Sequence, residues 1–185
     1  DQGCKIPWLM RSWPDHPPEE GMTSIPRALF SAYGAGPFKT CSVCSLSLNE
    51  SGCLYEIQKV FHGKEVIFEM AVCETCGGEV CRGFSKESLE ALKGFFASFK
   101  PDPKANHCHF CGLPRSALRV YTVMGACKGG SLIAPSIVLC ERCGENIEAR
   151  LSKETREAQN DFIRRNFPGV PQDLDLKPTF CPSFL

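Results

Sequence analysis

Eight cysteines of this 185-residue chain recur as four C-x-x-C pairs, and this spacing is the feature of the sequence most able to do chemistry. A C-x-x-C turn lets two sulfurs converge on one ion, and two such pairs supply the four thiolates that zinc favours in a tetrahedral site. In each half of the pattern, 28 residues separate the first pair from the second. The sequence therefore predicts two zinc ions per chain, one held by Cys41, Cys44, Cys73 and Cys76 and the other by Cys108, Cys111, Cys140 and Cys143.

The total of thirteen cysteines argues against a disulfide framework, because an odd number cannot all pair within one chain. Regular C-x-x-C pairs with leftover thiols are typical of metal sites in a reducing compartment, so we expect a cytoplasmic protein. Three of the leftover thiols are interpreted as small buried hydrophobic side chains. These are Cys53, Cys81 and Cys127, whereas Cys4 and Cys181 lie near the chain ends and receive no role.

Charge and hydropathy exclude some classes of protein. Lys plus Arg and Asp plus Glu both total 21, so no global charge draws the chain to nucleic acid or to an anionic membrane. The longest uncharged apolar run, "SLIAPSIVL", is too short to span a bilayer. No signal peptide is visible, and a start at Asp1 rather than Met leaves open an upstream segment that has been removed.

The cysteine pattern belongs to a longer internal repeat. A shift of 67 residues superposes all four ligands of the first set on those of the second, and it superposes "SKE" at 85–87 on "SKE" at 152–154. The offset is expected to stay constant over about sixty residues, which indicates an internal duplication. The predicted division of the chain is a Pro/Trp-rich N-terminal arm at 1–40, zinc unit 1 at 41–101, zinc unit 2 at 102–168 and a C-terminal tail at 169–185.

Each unit must contain elements that bring its two cysteine pairs together. In unit 1, "CLYEIQKVF" and the alternating run Val66–Val72 predict a hairpin that turns at "HGK". In unit 2, "LRVYTV" and "SLIAPSIVL" take the same places around a Gly-rich turn at "GACKGG", and Pro135 predicts an edge or a bulge. A short helix is expected at each second cysteine pair, followed by a helix capped by Ser85 or Ser152. The predicted fold is a small α+β zinc-binding fold of two tandem treble-clef-like units.

The finger core of unit 2, "CHFCGLPRSALRVYTVMGAC…IVLCERCGENIEARL", is similar to the zinc-binding domain at the N-terminus of the bacterial ClpX unfoldase. That family also has a C-x-x-C-Gly knuckle, a β-hairpin and a second cysteine pair at a helix start. The resemblance covers about a third of the chain, and the interval between pairs is longer here. Because the family's domain dimerises and docks substrates and adaptors, the resemblance implies an interaction module, with two copies in one chain packing as an intramolecular pseudo-dimer.

Other interpretations stay open at this stage. A crossed arrangement would let the first and third pairs share a metal, and His107 or His109 could replace a cysteine, although both are expected to be solvated knuckle residues. A closed four-cysteine site leaves zinc no open position, so no catalytic residue is predicted and we expect a protein that is not an enzyme.

Two functions follow from the sequence as expectations. The first is a protein-interaction or adaptor module that binds an unidentified protein partner or forms a homo-oligomer. The alternative is nucleic-acid binding through the basic second unit, where residues 101–167 carry ten basic and seven acidic side chains. The basic residues at issue lie on or near one predicted helix and are Arg150, Lys153, Arg156, Arg164 and Arg165. No membrane partner is expected.

Overall fold

The computed structural model of the chain describes residues 23–49, 53–99 and 104–170. The predictions for residues 1–22, including those for Cys4, and the predictions for the tail from residue 171 onward, including those for Cys181, lie outside the described residues. The described helices and strands are β1 (Thr23–Ser24), β2 (Leu54–His62), β3 (Glu65–Cys73), α1 (Glu74–Cys81), α2 (Lys86–Ala97), β4 (Val120–Lys128), β5 (Ser131–Leu132), β6 (Ile137–Cys140), α3 (Glu141–Glu148) and α4 (Lys153–Asn166).

Within the described ranges, the strands form one antiparallel sheet to which both predicted units contribute. The order along the sheet is β1-β5-β4-β2-β3, and β6 also pairs with β4 beyond β5. The centre of the sheet is the long pairing of β2 with β4, so the two hairpins lie side by side rather than in separate bodies. The mixed α/β character and the antiparallel hairpins predicted from the sequence are therefore present.

The second hairpin differs from the predicted one. The segment "GACK" was expected in the turn, but Gly125–Lys128 continues β4 in pairing with β2, and the turn is confined to Gly129 and Gly130. The break predicted at Pro135 is confirmed, because β5 ends at Leu132 and β6 begins only at Ile137. Proline has no N–H to donate to the neighbouring strand, so the ladder is interrupted there.

The two hairpins match with a shift of 66 residues, not 67. Tyr55 is paired with Cys73, whereas the residue paired with Cys140 is Tyr121. The constant offset expected from the sequence is therefore wrong for β2 and β4, although it holds for the cysteines and for all four helix starts. One residue fewer before β4 and one residue more around Pro135 account for the two compensating slips.

With this alignment, the sheet has a local pseudo-two-fold axis through the pair Gln58 and Met124, which are each other's counterparts. The axis relates two hydrogen bonds that cross between the hairpins. The Tyr55 hydroxyl donates to the Gly129 carbonyl at 2.7 Å, and the Tyr121 hydroxyl donates to the Gly63 carbonyl at 3.2 Å. Both glycines have positive φ, 56° for Gly129 and 60° for Gly63, which a residue with a Cβ rarely adopts.

The helices pack across the units rather than within them. Helix α1 packs against α4, and α2 packs against α3. Phe95 of α2 stacks on Phe110 of the second cysteine knuckle with ring centroids 4.1 Å apart. In the other direction, Phe167, at the end of α4, meets Phe68 of β3 edge to face at 5.3 Å. The two segments therefore share one hydrophobic core.

The part of the N-terminal arm that the structure describes lies across the sheet, as the sequence led us to expect. Leu29 is fully buried and sits over Gly125, and β1 pairs with β5. The Lys59 ammonium donates to the Phe30 carbonyl and lies 3.1 Å from the carboxylate of Glu69. Glu69 in turn accepts hydrogen bonds from the Ala32 N–H at 2.9 Å and 3.0 Å.

Candidate metal centres

The first cysteine pair of each unit lies in a tight knuckle held by backbone hydrogen bonds. In unit 1, the Cys41 N–H donates to the Leu46 carbonyl at 2.8 Å, and the Ser45 N–H donates to the Cys41 carbonyl at 3.0 Å. The chain must pass through a left-handed conformation to close this turn, and Ser45 has φ of 62°. A non-glycine residue pays a steric penalty in this region, because its Cβ approaches the following carbonyl.

The knuckle of unit 2 repeats this geometry. The Cys108 N–H donates to the Leu113 carbonyl and the Gly112 N–H donates to the Cys108 carbonyl, both at 2.8 Å. Here the left-handed position is a glycine, Gly112, with φ of 75°. The same backbone path in two segments that differ in sequence explains why cysteine spacing alone predicted both knuckles.

The second cysteine pair of each unit lies where a strand passes into a helix. Cys73 is the last residue of β3 and the N-cap of α1, and Cys140 holds the same position between β6 and α3. Cys76 and Cys143 follow in the first turn of each helix. The N–H groups of Cys73 and Cys140 each donate to the first cysteine sulfur of their own knuckle at 3.4 Å. Donation of this kind stabilises a thiolate, as does the positive end of the helix dipole.

The structure brings the eight predicted ligands together in two groups, each drawn from one unit. Within each group the four sulfurs all lie within 4.8 Å of one another. The Cys44 and Cys73 sulfurs are 3.7 Å apart, as are those of Cys111 and Cys140. Zinc–sulfur bonds of about 2.3 Å in a tetrahedron place the sulfurs about 3.8 Å apart, whereas a disulfide requires about 2.0 Å. The groups therefore have the spacing of metal sites, and the crossed arrangement is not the one present.

The pKa values differ among the thiols of a group. Burial raises the pKa of Cys41, but N–H groups of Cys44, Cys73 and Val43 outweigh burial and lower it to about 7. For Cys111, burial is likewise outweighed, mainly by the Leu113 N–H, and the pKa is about 7. Burial raises the pKa of the thiols on the helix side of each group, to about 11 for Cys73 and for Cys140. Four negative charges this close need a cation, which is what a bound metal ion would supply.

His109 is not the solvated residue that the sequence led us to expect. Its side chain is 1% exposed and its ring lies parallel to that of Phe99, with centroids 4.9 Å apart. The Val138 N–H donates to His109 Nδ1 at 2.9 Å, and the His109 N–H donates to the Val138 carbonyl at 2.9 Å. The ring therefore ties the knuckle to the edge of β6 and does not join the four-sulfur group.

Unit 1 makes the same connection with a serine. The Ser42 N–H donates to the Ala71 carbonyl at 2.7 Å, and the Ala71 N–H donates to the Ser42 hydroxyl at 3.0 Å. Ser42 and His109 occupy matching positions in the repeat, and each side chain accepts the outward N–H of a sheet edge. Sequence reasoning missed this role, because the two side chains share only the ability to accept a hydrogen bond at that position.

The remaining cysteines and histidine lie apart from the two groups. Cys81 and Cys127 are buried, as expected, and Cys53 is half-buried. Burial raises the pKa of Cys127 to about 12. His107 is exposed, and its backbone forms an isolated bridge with Pro114 across the knuckle.

Comparisons with models of known protein families, with curated proteins and with solved structures return no significant match. Among the described residues, no helix combines the length and the apolar character needed to cross a bilayer. The class of protein that the geometry itself defines is a mixed α/β protein with two tetra-cysteine sites suited to structural metal binding.

Proposed function

We propose that the chain is a cytoplasmic zinc protein without catalytic activity that acts as a protein-interaction or adaptor module. The observation that carries the proposal is the pair of closed four-sulfur groups. Four thiolates would fill the tetrahedral coordination of zinc and leave no position for water or substrate. Zinc bound in this way would hold each knuckle to its helix and so stabilise the fold.

The proposal includes a treble-clef-like unit that occurs twice by internal duplication. Each unit runs in the order knuckle, hairpin and helix, as in the ClpX-type domain that the finger core resembles. The matching left-handed positions at Ser45 and Gly112 support a common origin, as do the matching edge contacts of Ser42 and His109. In the ClpX-type family, two such domains come together as a dimer. The reciprocal tyrosine hydrogen bonds across β2 and β4 support an intramolecular counterpart of that dimer here.

The surface of the two knuckles supports an interaction role. Leu46 and Leu113 occupy matching positions at the knuckle tips, and each is 41% exposed. Single exposed leucines are common on protein surfaces, but here the same apolar feature is presented twice by pseudo-symmetric units. A protein partner could be recognised through these tips without any change in the metal sites beneath them.

The nucleic-acid alternative has less support. Two of the five basic residues on which it depends are engaged within α4, because Lys153 lies 3.6 Å from Glu157 and Arg164 contacts Asp161. Intrahelical ion pairs of this kind are typical of a solvated helix surface. Fewer unpaired cations remain on α4 for phosphate contacts.

The test uses the chain as bait with nuclease-treated extract. The wild type is compared with Leu46→Ser/Leu113→Ser, which alters only exposed side chains, and with the matched control Tyr33→Ser, whose side chain is 92% exposed. The proposal expects a defined protein partner that the wild type and the control retain and the double variant loses.

A salt-dependent affinity for DNA or RNA that is lost in Arg164→Gln/Arg165→Gln would instead support the alternative and contradict the adaptor role.

A further inference from the structure

Four side-chain hydroxyl groups meet where the capped helices of the two units begin. The Ser85 hydroxyl accepts the Ser88 N–H and the Ser152 hydroxyl accepts the Thr155 N–H, each at 3.2 Å, as expected of N-caps. The hydroxyls of each cap and of its third helical residue are 3.1 Å apart. We call Ser85, Ser88, Ser152 and Thr155 the hydroxyl cluster.

The hydroxyl cluster also joins the two helices to each other. The Ser85 N–H donates to the Thr155 hydroxyl at 3.0 Å, and the Ser152 N–H donates to the Ser88 hydroxyl at 2.8 Å. Each helix of the pair therefore has its N-terminus completed by a side chain of the other. Ser88 and Thr155 are fully buried, so water cannot take over these bonds.

Both helices of this pair are close to a cysteine group along the chain and in space. Helix α1, which carries Cys76, ends at Cys81, only a few residues before Ser85. Helix α3 carries Cys143 and reaches Ser152 in the same way. The α1–α2 turn is in tight contact with α4, because a Cβ on Gly83 would lie 2.9 Å from the Cβ of Ala158. A shift of α1 would therefore displace α4, whose own chain continues from α3.

We propose that the two four-cysteine sites take up metal as a coupled pair and that the hydroxyl cluster transmits the coupling. This inference rests on the metal binding proposed above. A bound ion fixes the start of α1 or α3, which fixes the hydroxyl cluster and thereby the helix that packs on the other site. Each ion thus stabilises the arrangement that the second ion needs, and the coupling is positive and reciprocal.

The experiment titrates the metal-free protein with Zn²⁺ against a chromophoric chelator. Cys44→Ser/Cys76→Ser disables site 1, and the Zn²⁺ affinity of site 2 is then measured. The inference predicts that this affinity falls about tenfold or more, within the range usual for coupled sites. Cys111→Ser/Cys143→Ser should lower the affinity of site 1 by the same factor, because linkage is reciprocal.

A second set of variants tests the role of the hydroxyl cluster. In the background Ser88→Ala/Thr155→Val, disabling site 1 should change the affinity of site 2 by a factor close to one. Ser88→Thr/Thr155→Ser keeps both hydroxyls and should restore the coupling. Ser98→Ala removes an exposed hydroxyl that bonds only to its own helix, at the Phe95 carbonyl, and serves as the control.

The outcomes separate this inference from the one on which it depends. If site 2 binds Zn²⁺ equally well with and without site 1, the coupling is overturned while the metal binding stands. If the wild type binds no Zn²⁺, both are overturned. If disabling site 1 unfolds the chain and abolishes binding at site 2, the coupling is supported, because one ion is then required for the other.

Discussion

Gly125 offers the sharpest test of how the N-terminal segment packs, and we predict that Gly125→Ala destabilises the protein. Gly125 lies within β4 opposite Ile57, at ordinary extended φ, so only space opposes a side chain there. A Cβ at this position would lie 2.3 Å from Leu29 Cδ1 and 3.1 Å from Leu132 Cδ1. Because Leu29 is fully buried, its side chain cannot move aside into solvent.

The magnitude follows from two opposing effects. Overpacking by one methyl group in a dense core costs about 1–3 kcal/mol. Loss of glycine's freedom in the unfolded chain stabilises by about 0.4–1 kcal/mol. The free energy of unfolding should therefore fall by about 1–2 kcal/mol, the difference between these two ranges.

The assay is urea unfolding of the metal-loaded protein, and a double-mutant cycle identifies the cause. Leu29→Ala alone should cost about 2–5 kcal/mol, since it empties a buried site. Leu29→Ala also removes the clash, so the double variant should cost less than the sum of the two single variants by about 0.5–3 kcal/mol. Gly94→Ala is the control, because a Cβ there meets nothing within 4 Å in α2, and it should stabilise. Gly125→Ala at wild-type stability, or full additivity, would refute the packing described.

Three further predictions concern buried polar groups. His109→Ala should lower the free energy of unfolding by about 1–3 kcal/mol, because the Val138 N–H loses its acceptor, while elemental analysis should still find the wild-type metal content. Lys59→Met should cost about 3–5 kcal/mol in urea unfolding, because it leaves the carboxylate of Glu69 buried without its cation. Burial first, and the nearby charge of Glu56 second, hold the pKa of Cys127 at about 12, above its usual value of 9.0. The folded state therefore binds this proton more tightly, and stability present below about pH 9 should fall as pH rises toward 12, less steeply in Cys127→Ala, as followed by unfolding at each pH.

The predictions that succeeded rest on local chemistry. A C-x-x-C pair constrains its own turn, so the grouping of the ligands could be read from spacing alone. Ser85 and Ser152 were recognisable as N-caps, and both accept the N–H three residues later. The interruption at Pro135 likewise follows from a missing N–H donor.

The predictions that failed depend on contacts distant in sequence. The stretch from Gly125 to Lys128 is turn-like in composition, yet it is a strand because β2 pairs along its whole length and Leu29 fills the space over the glycine. Single-residue slips in two loops shifted β4 by one position while every cysteine kept its place. The burial of His109 depends on Phe99 and Val138, neither of which is signalled by the residues beside it.

The packing of helices across the units was also beyond the sequence pattern. The apolar residues of α2 predict an apolar face, but they do not say which unit that face covers. The stacking of Phe95 on Phe110 shows that it covers the other knuckle. The same limit applies to Lys59 and Glu69, whose charges predict a solvated strand until the segment around Phe30 is placed over them.

The central claim is that two closed four-cysteine sites each hold one zinc ion and thereby hold the fold. Elemental analysis of the purified chain tests it most directly, together with variants that lack one site. We predict two zinc ions per chain in the wild type, one for each complete set of four thiols, and loss of folded structure when a strong chelator removes both. A chain that is well folded and free of metal would contradict the account.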